Sequence, residues 1–213
     1  MSPSGALRAA AAVFVGAMVA TTSPAVASAQ SGGDTPALSP EQIAQALGPG
    51  GDPAAATQGI LSLAEAAEAA EATLWVQVLV IVERVERDAG ALAVRAAALA
   101  AVGSGSAGAE MIVQALPELS AEDWPVFLAF AAVLSEGAEP LRAAELRERF
   151  LQEHPDAPQK PEIALRHARW LVSIDARRAE GVRLLEDLIV EVPNHPLAPE
   201  ARRVYQMYRA GLD

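Results

Sequence analysis

The sequence predicts an all-α protein built in part from helical-hairpin repeats, an α-solenoid or a less regular helical array. Three observations lead there. Just over half of the 213 residues are apolar (52%), yet aromatics make up only 4%, so any core is mostly Ala, Leu and Val. Ala and Leu favour helices, whereas strands draw on β-branched and aromatic residues. Lastly, a stretch in the final third repeats itself at a constant offset of 38 residues.

Taken in chain order, residues 1–29 read as a secretory signal peptide. Arg8 is the single charge before Asp34, and an apolar run from Ala9 to Ala20 follows it. That run suits a signal h-region and is too short for a stable membrane span. Pro24 breaks it, and Ala27-Ser28-Ala29 forms a small-residue cleavage site, with cleavage expected after Ala29. The location expected from this is periplasmic or secreted. Residues 30–38 are rich in Gly, Ser, Thr and Pro and read as a flexible linker.

Residues 39–137 form an acidic N-terminal helical region. Ser39, Pro40 and Gln42 spell a capping box with proline in the first helical position. That helix is expected to stop at Gly48-Pro49-Gly50-Gly51. A helical run is expected from Pro53 to about Glu71, leading into the Val- and Ile-rich segment 74–82, read as a buried helix supported by an i,i+4 pair of Glu83 and Arg87. Gly90 reads as a stop, Ala91 to Val102 as the next helix, and Gly103 to Gly108 as its closure. A short helix over Glu110–Leu116 follows. Trp124-Pro125 then opens a helix running to Ser135 and ending at Gly137.

Residues 138–213 carry the repeat. The run Leu146 to Glu162 and the run Leu184 to Glu200 coincide at seven of seventeen positions without a gap, including prolines 155/193, 158/196 and 161/199. Trp170 and Tyr208 fall at the same offset. The first proline of each set cannot continue a helix, and the third suits the first turn of the next. A fixed offset with one grammar means a repeated two-helix unit whose apolar side its neighbour covers. Residues 53–137 show no clean offset.

This segment resembles the tetratricopeptide repeat family, whose unit is a helix pair of ~34 residues closed by proline. Within Glu162–Pro193, Gly181 stands where that family takes a small residue, Leu185 and Leu188 at large apolar positions, and Pro193 at the close. The unit is about four residues longer than the family's, with Asp175 to Arg178 the place for the excess, and the Trp-Leu-Gly-Tyr signature is missing. The run from Pro193 to Tyr205 is also similar to periplasmic repeat proteins of the Tol–Pal and outer-membrane assembly systems. The resemblance implies a groove lined by first helices, residues 163–174 and 200–209, that binds another protein.

Composition narrows the function classes. A net charge of −11 argues against nucleic acid, which asks for a basic footprint. The charge is uneven: fifteen acids face three bases between Asp34 and Glu139, while the remainder is balanced. With no cysteine, there is no thiolate chemistry and no disulfide. No zinc-protease, phosphate-loop or nucleophile-elbow motif occurs, so neither an enzyme nor a cofactor or metal site is expected. His154 and His195, beside prolines, read as caps of the preceding helix ends, and His167 as a satisfied core residue. Trp75 and Trp124 read as core. The candidate partner-binding residues are Arg166, Arg169, Trp170, Arg202, Arg203 and Tyr205, because guanidinium forks suit carboxylates. The expectation is an exported protein-binding scaffold. The alternatives are a structural or self-associating envelope subunit and a hydrolase with an unrecognised acidic site.

Overall fold

The computed structural model describes residues 38–210, so the signal peptide and most of the linker lie outside the described residues. Within that range the chain is all-α. Helix α1 spans Pro40–Ala46, α2 Pro53–Ala66, α3 Ala69–Val82, α4 Arg87–Ala101 and α5 Gly105–Ala115. These are followed by α6 Trp124–Ser135, α7 Pro140–Glu153, α8 Lys160–Val172, α9 Arg178–Glu191 and α10 Ala198–Arg209. Each helix packs on its chain neighbours, as short connections between helices dictate. In addition α1 lies on α4, α4 touches α6, and α8 touches α10.

Local chemistry explains the ends. The Ser39 hydroxyl accepts from the Gln42 amide at 3.3 Å while the Gln42 side chain accepts from the Ser39 amide at 2.8 Å, the expected capping box. The Asp52 carboxylate caps α2 by accepting from the Ala54 amide at 2.9 Å. The Val- and Ile-rich segment is helical, with Trp75, Val78, Leu79 and Ile81 buried.

Four expectations need correction in this region. The helical run after Pro53 is cut at Ala67–Glu68, where the backbone turns extended and α3 folds back on α2. No breaker residue stands there, so packing rather than propensity sets this break. Glu83 and Arg87 lie in different elements and form no i,i+4 pair, because α3 ends at Val82. Gly90 is a buried residue in the first turn of α4, not a stop. Of the glycines from 103 to 108, only the first turns the chain: Gly103, at φ +81°, takes the left-handed conformation, and α5 already begins at Gly105. Gly108 sits inside α5 because a Cβ there would lie 2.5 Å from the Ala96 carbonyl oxygen of α4.

The core follows from the aromatic-poor composition. Ala56, Ala93, Ala96, Ala97, Ala131, Ala132, Ala143, Ala168 and Ala201 are all fully buried, and the small side chains let helix backbones approach closely. One apolar cluster runs from Ile43 to Ile163 and a second from Ala164 to Val204. The first crosses residues 136–139, which join the two helices of the α6–α7 hairpin.

The two proline-marked segments have matching backbones. Helices α7 and α9 begin at 140 and 178 and end at 153 and 191, and α8 and α10 begin at 160 and 198, all 38 residues apart. The residue closing the first helix has φ/ψ of −132°/55° at His154 and −130°/61° at Val192. The residue before the second helix has −79°/−11° at Gln159 and −82°/−11° at Leu197. The turn hydrogen bonds correspond as well: the Ala157 amide donates to the His154 carbonyl at 3.2 Å, and the His195 amide to the Val192 carbonyl at 3.1 Å. Upstream the pattern continues with a longer turn. Pro117 stands 38 residues before Pro155, and the Leu119 amide donates to the Leu116 carbonyl at 3.1 Å in the corresponding place. The next helix, α6, starts two residues late.

Candidate functional site

The seam between α7 and α8 gathers the chain's densest set of paired charges. Helix α8 turns Ile163, Ala164, Ala168 and Leu171 inward, so Glu162, Arg166 and Arg169 come out on its other side. Arg166 is held from two directions. Its Nε and Nη2 donate to Glu162 Oε1 at 3.1 and 3.0 Å, and its Nη1 donates to Glu136 Oε2 at 2.9 Å. The other oxygen of Glu136 accepts from Arg147 Nη1 at 2.8 Å. Glu136, just past the end of α6, therefore bridges one arginine from each of the next two helices.

Arg147 is the unusual member, since its side chain is 4% exposed. A guanidinium offers five donors, and among the described residues only the bond to Glu136 meets one of them. Burial lowers its pKa, with Glu136 opposing and Arg166 adding to the drop. Burial acts the same way on Arg166, but Glu136 and Glu162 together outweigh it, and the net shift is upward. Both arginines stay cationic.

Glu136, Pro140, Arg147, Arg166, Arg169 and Trp170 line a cleft of about 340 Å³. Arg169 is half exposed and donates Nη1 to Glu200 at 2.9 Å, tying α8 to the start of α10. Trp170 stacks on His167 at 5.8 Å between centroids, and the Arg177 guanidinium lies 5.5 Å from its ring centre. A second cleft of about 520 Å³ lies between α1 and α4, with Gln45, Asp88 and Arg95 as its polar lining. It is larger, but it contains one cation and one acid and no buried charge, so the α7–α8 cleft is the better candidate.

The structure brings together three of the six residues singled out by sequence, Arg166, Arg169 and Trp170. It places the other three on α10, outside the lining of this cleft. Arg202 donates Nη2 to the Pro193 carbonyl at 2.9 Å and so braces the turn before its own helix. Arg203 is exposed. Tyr205 is half-buried with Arg209 over its ring at 5.6 Å. Sequence reasoning missed Glu136, Pro140 and Arg147, although a signal for Arg147 existed. At the 38-residue offset it aligns with Leu185, which is fully buried, so a charge occupies a core register position.

The histidines need two corrections. His195 does not cap the helix behind it; its Nδ1 accepts from the Leu197 amide at 3.2 Å and so braces the turn into α10. His167 is buried as expected, at 3% exposure, but its Nδ1 has no hydrogen-bond partner. Burial first, then the nearby Arg147 and Arg177, push its pKa down to about 4, with Glu180 pulling the other way. It is therefore neutral at pH 7. His154 closes α7, with its ring 5.7 Å from that of Phe150.

Among the described residues no three His, Asp or Glu side chains come together as a metal site, and no helix is long and apolar enough to cross a membrane. No protein-family model, no curated protein and no solved structure matches this chain.

Proposed function

We propose that this chain is an exported helical-repeat scaffold that binds a protein partner in the cell envelope. The observation that carries the reading is the recurrence, at 38 residues, of one helix–turn–helix geometry with a charged cleft at the seam between copies. Stacked helical hairpins present extended surfaces, and protein recognition is their ordinary use. The apolar N-terminal run after Arg8, ending at Ala27-Ser28-Ala29, supports export. First helices α8 and α10 touch each other, which supports a shared face carrying Arg169 and Arg203. The tetratricopeptide-like length and proline grammar point the same way.

The test is affinity capture from the organism's own envelope fraction. The double variant Arg169→Glu with Arg203→Glu is expected to lower retention of the captured partner at least tenfold, with the circular dichroism spectrum unchanged. Retention equal to that of the unmodified chain refutes the role of this face.

A further inference from the structure

Resting on that reading, the geometry points to the Arg147–Arg169 side of the cleft as a binding site for the free C-terminal carboxylate of the partner, with the partner's terminal apolar side chain against Pro140 and Trp170. The cleft is lined by three guanidinium groups and one carboxylate. The roles within it divide by hydrogen bonding. Arg166 has spent its donors on Glu162 and Glu136, so it is a positioning residue that fixes Glu136 against Arg147. Arg147 and Arg169 each spend a single donor on protein acceptors, leaving a fork on each for a carboxylate. A buried cation with unmet donors calls for an acceptor, and here the cation forms a wall of an open cleft.

Other anionic ligands fit less well. A volume of about 340 Å³ takes a chain end rather than a long segment. Glu136 in the lining repels a run of acidic side chains but tolerates one carboxylate held by the flanking arginines. A sugar acid would stack on an aromatic face, and Trp170 already has His167 and Arg177 against its ring. A peptide end, with one charge and one apolar side chain, matches what remains.

The experiment uses two pools of N-acetylated tetrapeptides that end in Leu, Ile, Val or Phe, with the other positions randomised over non-acidic residues. One pool carries the free carboxylate and the other the amide. Each is titrated into the ¹⁵N-labelled chain, reading the Trp170 indole N–H and the arginine Nε–H resonances, with fluorescence anisotropy for affinity. The acid pool is expected to shift these resonances and bind at least tenfold more tightly than the amide pool. Arg169→Glu should lose at least tenfold in affinity and Arg147→Lys several-fold, while Arg183→Glu on exposed α9 surface leaves binding unchanged. Equal binding of the two pools, no shift at millimolar acid pool, or displacement of the peptides by an equal concentration of acetate overturns the proposal. The two readings fail separately. If Arg169→Glu still retains the captured envelope partner, the cleft assignment falls and the scaffold stands. If the acid pool binds but no partner is ever captured, the scaffold falls.

Discussion

His167 should make the fold acid-sensitive by an amount that can be isolated. In the unfolded chain its imidazole titrates near the ordinary value of 6.5; in the folded chain burial beside Arg147 and Arg177 holds it down to about 4. The folded pKa is the lower one. Between those limits the unfolded chain therefore binds the extra proton, and stability falls as pH falls. The loss begins below about pH 6.5, proceeds at about 1.4 kcal/mol per pH unit, and levels off below about pH 4, for a total of roughly 3 kcal/mol. At pH 5 the loss is about 2 kcal/mol, which for a chain of this size shifts Tm by about 4–8 °C. Carboxylates titrate in the same window, so the measurement is a difference. The unmodified chain and His167→Phe are melted by circular dichroism from pH 8 to pH 4. The phenylalanine keeps the apolar volume beside Trp170 and removes the titration. The two Tm profiles should run parallel above pH 7 and diverge below it, the variant becoming relatively more stable as acid is added. Profiles that stay parallel down to pH 4 would refute the account of His167 as a buried neutral group.

Two further predictions concern packing and charge. A Cβ at Gly181 would lie 2.7 Å from Val172 Cγ1 and 2.9 Å from the Ala168 carbonyl oxygen, so Gly181→Ala should destabilise by about 1–3 kcal/mol in urea titration. Gly137, with open space around it and no positive φ, provides the contrast, and Gly137→Ala should be neutral or stabilising by about 0.5 kcal/mol. Glu136→Ala strands the buried Arg147 cation and should cost roughly 3 kcal/mol in the same assay, whereas Arg147→Met leaves Glu136 paired with Arg166 and should fall within about 1 kcal/mol of the parent. If Arg147→Met is the more damaging of the two, the bridge is not organised around Glu136.

The sequence was most legible where local chemistry alone decides the backbone. Ser39 with Gln42, Pro125, and prolines 155, 161, 193 and 199 each act through a missing donor or a side-chain cap, and the ends of α1, α6, α7, α8, α9 and α10 fall within about a residue of where these signals put them. Legibility failed where tertiary contact decides. Gly90 and Gly108 read as breakers because glycine is a poor helix former, yet both are helical, and at Gly108 the neighbouring backbone comes too close for a side chain. Conversely, the chain breaks at Ala67, a strong helix former, because α3 must return along α2. The same division explains why the repeat was visible only after residue 140. Upstream, Pro117 keeps the offset, but the two extra residues before α6 shift every later position out of register.

The site shows why composition could find half of it. Arg166 and Arg169 announce themselves as surface cations three residues apart on a helix, and Trp170 as a rare aromatic beside them. Arg147 looked like one more solvated charge, since Leu146 and Phe150 on the same helix supply an ordinary apolar stripe. What distinguishes it is comparison between copies. The first copy puts Ala143, Arg147 and Phe150 where the second puts Gly181, Leu185 and Leu188, and all six are buried. A leucine is the stable choice at such a position, because burying a charge costs more than apolar packing unless a partner offsets it. The copy that keeps arginine there also has Glu136 within 2.8 Å and an open cleft beside it, and neither is required for folding the helix. If the arginine were structural alone, replacing Arg147 with its repeat counterpart, Arg147→Leu, should leave both stability and peptide binding unchanged. If it serves the cleft, the same substitution should hold or raise Tm while acid-pool affinity drops at least tenfold, a split that packing by itself does not produce.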